Sequence, residues 1–300
     1  MYGVFQMNVI SGRLTCLLFT PVLKDGWAEK AWQWDPDGII LDLEDSIPDN
    51  DKKRARIKAR EISEKHESKW FLRINSVESG LWEEDLHVAL NRNICGILVP
   101  KSEKPQDIIR VDETVNRVFS DLYNVHDIPM LIPIVETSLG LEKAFKVATS
   151  TPNIHTLAFG AADFAKDLLI SGTPAPKLMD LAKFRIVVAS RAAGLSSPHD
   201  SPFFNVEDEN GLLQEVMSAK SMAFGGKHAI HPSQIKIIKD NFRPSHGEIN
   251  WALDVVTKFE EALQSGSAAI RVNNEMVDYP VYRRAKRIVM EYGTEEDVPR

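Results

Sequence analysis

The feature that most constrains this chain is a rhythm. Short apolar runs alternate with longer amphipathic segments, from residues 14–22 through to residues 227–230. A short apolar run bounded by turn residues reads as a buried strand, and the amphipathic stretch after it as a crossover helix. The strand-like runs are 14–22, 38–43, 70–74, 96–99, Met130–Val135, 155–159, 195–201 and 227–230, the seventh being polar for its place. Helical patterns fill 26–34, 52–66, 81–90, 105–119, 178–193 and 206–224. Pro105 stands at the start of one and Gly194 just past the end of another. Eight such units fit a (β/α)8 barrel better than a doubly wound sheet. No glycine-rich phosphate fingerprint follows the first strand, which also counts against a dinucleotide fold. Residues 244–300 add two helical patterns around the loop SGSAAIRVNNEMVDYP. The expected organisation is therefore a catalytic barrel over residues 1–243 and a helical extension over residues 244–300.

Composition narrows the function classes. A net charge of -7 argues against a nucleic-acid footprint, though a local basic patch for a small anion is still allowed. Cys16 and Cys95 both sit in apolar runs, as buried thiols in a reducing compartment do. The first ten residues lack a basic segment and a cleavage site, and no apolar run approaches membrane-spanning length. A cytoplasmic protein with no membrane or nucleic-acid partner is expected.

In a barrel of this kind the chemistry lies at the C-terminal ends of the strands. Those positions hold Pro21, Glu44, Asp45, Arg73, Asn75, Lys101, Glu136, Thr137, Asp163 and His231. The segment from Met130 to Asp163 carries two strands joined by one helix, each followed by a carboxylate, Glu136 and Asp163. That is how an α/β enzyme presents oxygen ligands to a hard cation. Capping of the next helix is the competing explanation, but Thr137 or Ser138 could serve as that cap and leave Glu136 over. Arg73 lies between apolar neighbours in WFLRIN, so it is expected to point into the barrel mouth rather than to a solvated edge.

Seven segments, LDLEDSIPDNDKKRAR, FLRIN, LVPKSE, IPIVETSLGL, FGAADFAKDL, RAAGL and AIHPSQI, occur in this order. Together they resemble the HpcH/HpaI aldolase/citrate lyase superfamily, and most of all its citrate lyase beta-subunit-like branch. The resemblance implies a TIM barrel of the phosphoenolpyruvate/pyruvate-binding type that uses Mg2+. It implies cleavage or formation of a carbon–carbon bond in a carboxylated 3-hydroxyacyl thioester of the malyl, citramalyl or citryl type. By motif, Glu136 and Asp163 are the expected metal ligands, and Arg73 the contact to substrate. Glu44 and Asp45 are expected to hold Arg73 and metal-bound water in place. Gly160 and Ala161 leave room for substrate beside the backbone, and Thr137 offers it a hydroxyl. Lys52 and Arg56 match a K-x-x-A-R pattern that could meet thioester phosphates, with a solvated helix face as the alternative. The tail NNEMVDYPVYRRAKRIV resembles a segment that in relatives covers a neighbouring subunit's site, which makes Asp278 the candidate acid–base residue. An N-cap for the following helix explains Asp278 equally well. Relatives of this kind are trimers or hexamers.

The resemblance departs in places. Thr15 stands where the first strand of the family carries an arginine, and His199 lies in a stretch where histidine is unusual. Four alternatives remain open: an aldolase acting on free 2-oxo acids, the same enolate chemistry used for condensation or thioester hydrolysis, a Schiff-base aldolase using Lys101, and a non-catalytic scaffold.

Overall fold

The computed structural model describes residues 13–65, 69–123, 128–172 and 175–292. The N-terminal residues read above for a leader lie outside them. Eight parallel strands close into one barrel: β1 (Cys16–Pro21), β2 (Gly38–Asp42), β3 (Trp70–Arg73), β4 (Ile94–Val99), β5 (Met130–Val135), β6 (Ala158–Phe159), β7 (His199–Asp200) and β8 (Gly226–Ala229). Closure is made by β1 against β8, with Leu17 opposite His228.

Strand alternation sorts the side chains into two layers. Leu17, Ile40, Phe71, Leu98, Ile132, Ile134 and Ala158 pack together inside the barrel. Leu18, Ile39, Leu41, Leu72, Ile97, Val99 and Leu131 face outward, against helix residues such as Ala59, Leu86, Val111 and Val147. Phe71 is fully buried, and a Cβ at Gly38 or Gly96 would fall 2.5 or 2.7 Å from its ring. Glycine at both positions is what lets a phenyl group fill the barrel at that level.

Strands six and seven are much shorter than the runs that announce them. Residues 195–198 lie outside the ladder, where Pro198 has no amide to donate. The two polar residues of β7 are buried, and Asp200 is held by buried lysines. Lys227 Nζ lies 2.8 Å from Asp200 Oδ2 and 2.7 Å from Glu215 Oε2, and Lys183 Nζ lies 3.0 Å from Asp200 Oδ1. Burial opposes charge on Asp200 and Lys227, but each stabilises the other: the carboxyl is held below its usual range and the ammonium above its own.

By contacts the chain divides into residues 1–242 and residues 243–300. The first unit carries helices α1 (Trp27–Ala31), α2 (Lys52–Lys65), α3 (Trp82–Ala89), α4 (Pro105–Leu122), α5 (Ser138–Ala148), α6 (Ala161–Asp167), α7 (Pro176–Ala192), α8 (Glu209–Ser221) and α9 (Ser233–Phe242); the second has α10 (His246–Gln264), α11 (Tyr279–Tyr292) and a core of its own around Val255, Phe259, Val277 and Val289. The loop between its helices is a β-hairpin, with Ile270–Val272 antiparallel to Glu275–Val277. Asn273 and Asn274 both adopt positive φ, 48° and 68°, the left-handed pair that a two-residue hairpin turn needs. Among the described residues no helix is long and apolar enough to cross a membrane.

Candidate active site

Side chains from the C-terminal strand ends line a cavity of about 530 Å3. Phe19 and Pro21 come from β1, Asp42 from the end of β2 with Asp45 in the turn after it, and Arg73 from β3. Glu136 follows β5, Gly160 to Asp163 follow β6, and His228 and Ile230 come from β8 and just beyond it.

Arg73 is the centre of the polar wall. Its Nε and Nη2 donate to Asp42 Oδ1 and Oδ2 at 2.6 and 2.7 Å, a bidentate pair. Its Nη1 lies 3.1 Å from Glu44 Oε2 and 3.4 Å from Asp45 Oδ2. The guanidinium carbon stands 4.9 Å from the centre of the Phe19 ring. Burial works against both partners of the main pair, yet Asp42 stays below the usual carboxylate range and Arg73 above its own, because each faces the other. Arg73 thus points into the mouth, with its plane fixed. Asp42 was not among the expected site residues. It lies in the same register as Ile40 and Glu44, inside a stretch, 38–43, that reads as a plain apolar strand.

Glu136 is 3% exposed. Its Oε1 accepts from the Lys101 amide at 2.7 Å. That amide is aimed by an unusual backbone: Lys101 has φ 49°, a left-handed conformation that costs a non-glycine residue energy. The other oxygen, Oε2, lies over Gly160, where a Cβ would come within 2.3 Å. Gly160 thus leaves room for the Glu136 side chain, where the sequence suggested room for substrate. Burial first, then Glu44 and Asp163, push the Glu136 carboxyl up to about 8. Lys101 Nζ donates to Glu44 Oε1 at 2.9 Å. Burial would lower that ammonium, but Glu44 holds it above its usual value. A Schiff-base lysine needs the opposite shift, so the structure speaks against Lys101 in that role.

Asp163 lies half-buried in the first turn of helix α6 (Ala161–Asp167) and faces the same cavity. The fit to Mg2+ rests on the donor set: all oxygen, carboxylates in excess over cations, and one Glu136 oxygen without a donor among the described residues. Among the described residues no three His, Cys, Asp and Glu side chains converge as a closed cage. A pair of carboxylates suits a cation that keeps much of its coordination sphere for water and substrate, as Mg2+ does.

Other expected residues are placed elsewhere. Thr137 Oγ1 accepts from Gly140 N at 3.0 Å, which makes it the cap of helix α5 (Ser138–Ala148) and not part of the cavity wall. Lys52 is buried, its Nζ donating to the carbonyls of Leu43 and Glu44 at 2.8 and 2.7 Å. Arg56 is buried against Asp85, with Nε 2.7 Å from Oδ1, and also pairs with Glu84. Lys52 braces the chain after β2 and Arg56 ties its helix to the one that carries Asp85; both are buried, so neither lies on a solvated face. Thr15 lies at the N-terminal end of β1, its carbonyl accepting from Lys227 N, whereas Phe19 and Pro21 at the other end line the cavity. Asp278 Oδ1 accepts from Val281 N at 3.3 Å and so caps α11.

Residues 15–232 match the family model for HpcH/HpaI aldolase/citrate lyase. The chain belongs to the HpcH/HpaI aldolase/citrate lyase family. It is 32% identical over 273 residues to the mitochondrial citramalyl-CoA lyase of Rattus norvegicus, over 84% of this chain and 78% of that one. Among solved structures, CitE of Mycobacterium tuberculosis in complex with magnesium, acetoacetate and coenzyme A is 24% identical. It covers 95% of this chain and 99% of that one at a TM-score of 0.73. A citrate lyase from Burkholderia xenovorans superposes at a TM-score of 0.83 with 20% identity, covering 94% and 92%. At those identities the two structures establish the fold alone. As a family member the protein is a carbon–carbon lyase.

Proposed function

We propose that this lyase is Mg2+-dependent and acts on a carboxylated 3-hydroxyacyl thioester of the malyl, citramalyl or citryl type. One observation carries the reading: a buried Glu136 with one oxygen on the Lys101 amide and the other over Gly160, facing Asp163 and a clamped Arg73 across one cavity. The names of relatives agree, since they are citramalyl-CoA lyase, citrate lyase subunit beta and L-malyl-CoA/beta-methylmalyl-CoA lyase.

In the cleavage direction the substrate's 3-hydroxyl gives its proton to a carboxylate of the cavity mouth, for which Asp45 is placed, and the carbon–carbon bond breaks. The departing 2-oxo acid leaves its electron pair on the thioester as an enolate, and the enolate takes a proton. Glu136 and Asp163 would hold Mg2+, which when bound would supply positive charge beside the oxygens that become negative. Arg73 orients the carboxylate end, and Asp42, Glu44 and Asp45 keep it from rotating away. Gly160 and Ala161 leave the substrate space next to the backbone. Asp278 of a second copy is our candidate for the proton that quenches the enolate, with one of its oxygens engaged in capping. An assembly, a homotrimer or homohexamer, is part of the proposal. Helix α7 (Pro176–Ala192) supports it by exposing Leu181, Phe184 and Val188 at helical spacing.

Isothermal titration of oxalate, with and without Mg2+, tests the site. Binding that needs Mg2+ and is lost in Glu136→Gln is expected, followed by turnover of one of the three thioesters. Absence of oxalate binding in both conditions would overturn the reading.

A further inference from the structure

One polar group on the inner wall has no part in this chemistry. His228 is 2% exposed, lines the cavity, and stacks edge-on against Phe19 at 5.4 Å. Phe19 in turn carries Arg73 on its ring, so the imidazole stands one aromatic ring along the wall from the guanidinium. Behind it, His199 Nδ1 meets His228 Nε2 at 3.3 Å, the rings nearly perpendicular. His199 is 4% exposed. This is its only hydrogen bond to a side chain among the described residues.

Both rings are neutral. Burial first pushes His199 down to about 3 and His228 well below its usual value, and the charged neighbours of His228, Arg73 and Lys227, push the same way. Two neutral imidazoles meeting nitrogen to nitrogen share one proton between them. The Leu14 backbone takes the other N–H of His199, so His199 Nδ1 accepts from His228 Nε2–H, and His228 Nδ1, which has no partner among the described residues, is left as a lone pair. Such a group accepts from a hydroxyl and offers neither a proton nor charge to a carboxylate. Phe19, Ile134, Phe159 and Ile230 on that wall are apolar, and Ser201, just past β7, is a neutral polar neighbour.

We propose that His228, held by His199, is a specificity-determining residue that reads an uncharged hydroxyl on the 2-oxo acid part of the substrate. A hydroxyl-bearing 2-oxo acid is favoured over one with a plain methyl group and a second carboxylate is rejected, which narrows the substrate class above by excluding the citryl type, whose 2-oxo acid is oxaloacetate. This rests on the metal-and-arginine reading of the same cavity. His228 is then a substrate contact and His199 a positioning residue.

The test is titration of oxalate, pyruvate, hydroxypyruvate and oxaloacetate into Mg2+-loaded wild type, His228→Leu, His228→Gln and His199→Leu, with melting curves for each. Wild type should bind hydroxypyruvate about tenfold more tightly than pyruvate, the effect of one neutral hydrogen bond, and bind oxaloacetate weakest. His228→Leu should erase the preference while oxalate affinity stays, His228→Gln should keep part of it, and His199→Leu should weaken it. An unchanged preference in His228→Leu that still binds oxalate, or a wild type that prefers oxaloacetate, would overturn the proposal alone. Failure of wild type to bind oxalate would overturn the underlying site reading and this proposal with it.

Discussion

Two buried ion clusters sit in this barrel, and their charge balances differ. Behind β7 and β8, Lys227 and Lys183 face Asp200 and Glu215, two cations against two carboxylates, with Lys227 and Asp200 fully buried. At the mouth, Asp42, Asp45, Glu136 and Asp163 line the cavity, and Arg73 is the single Lys or Arg in its wall among the described residues. The first cluster balances its own charge and leaves both main partners ionised. The second leaves Glu136 at about 8, a carboxyl short of positive charge. A self-balanced cluster is a brace between strands and helices. An unbalanced one is a receptor for a cation and for whatever the cation brings.

Substitutions that separate the two clusters should behave oppositely. Glu136→Gln is expected to lower turnover by about a thousandfold, equivalent to losing about 4 kcal/mol of transition-state stabilisation, with the melting temperature unchanged or raised. Steady-state kinetics and a melting curve check it; a large fall in melting temperature would place Glu136 in the scaffold.

Asp200→Asn should do the reverse. Removing one partner of a buried ion pair costs about 3–5 kcal/mol, read by urea unfolding, while the KM of the remaining folded enzyme is retained. Because folding lowers the Asp200 pKa, the stabilisation is complete above the usual aspartate value and is lost as pH falls below it. The gap between wild type and variant should therefore close on acidification and persist through neutral pH.

Asp42→Asn sharpens the comparison from inside the mouth. It removes charge from the Arg73 clamp without touching a metal ligand, so kcat should fall about 10- to 100-fold while Mg2+-dependent oxalate binding persists. Gly160→Ala is the mildest of the set. Its methyl group displaces Glu136 Oε2, and about a tenfold loss of oxalate affinity is expected by titration, with little change in stability.

The barrel and most of its strands were legible because burial on both faces writes parallel strands as apolar runs. Glu136 and Asp163 could be found because they interrupt such runs at the catalytic end. Asp42 escaped because an ionised group inside an apolar strand looks like noise until alternation shows it sharing a face with Ile40 and Glu44. Lys52 and Arg56 misled for the reverse reason: a charged helix start reads as a solvated or anion-binding face, and only tertiary packing shows Asp85 and the strand-end carbonyls opposite them. Lys227 and Asp200 belong to the same class, since no local pattern pairs residues that far apart in the chain. The hairpin at Asn273–Asn274 did carry a signal, two asparagines able to take positive φ, but its strands are too short to read as strands.

Phe71, wedged between Gly38 and Gly96, has a kinetic consequence. It fills the barrel two residues before Arg73 on β3, a floor beneath the cavity. Of the two fragments made at each turnover, the one nearer that floor should wait for the outer one to depart. Exit is a queue whose order was set when the substrate entered, and the inner fragment, added back as an inhibitor, should occupy the free enzyme.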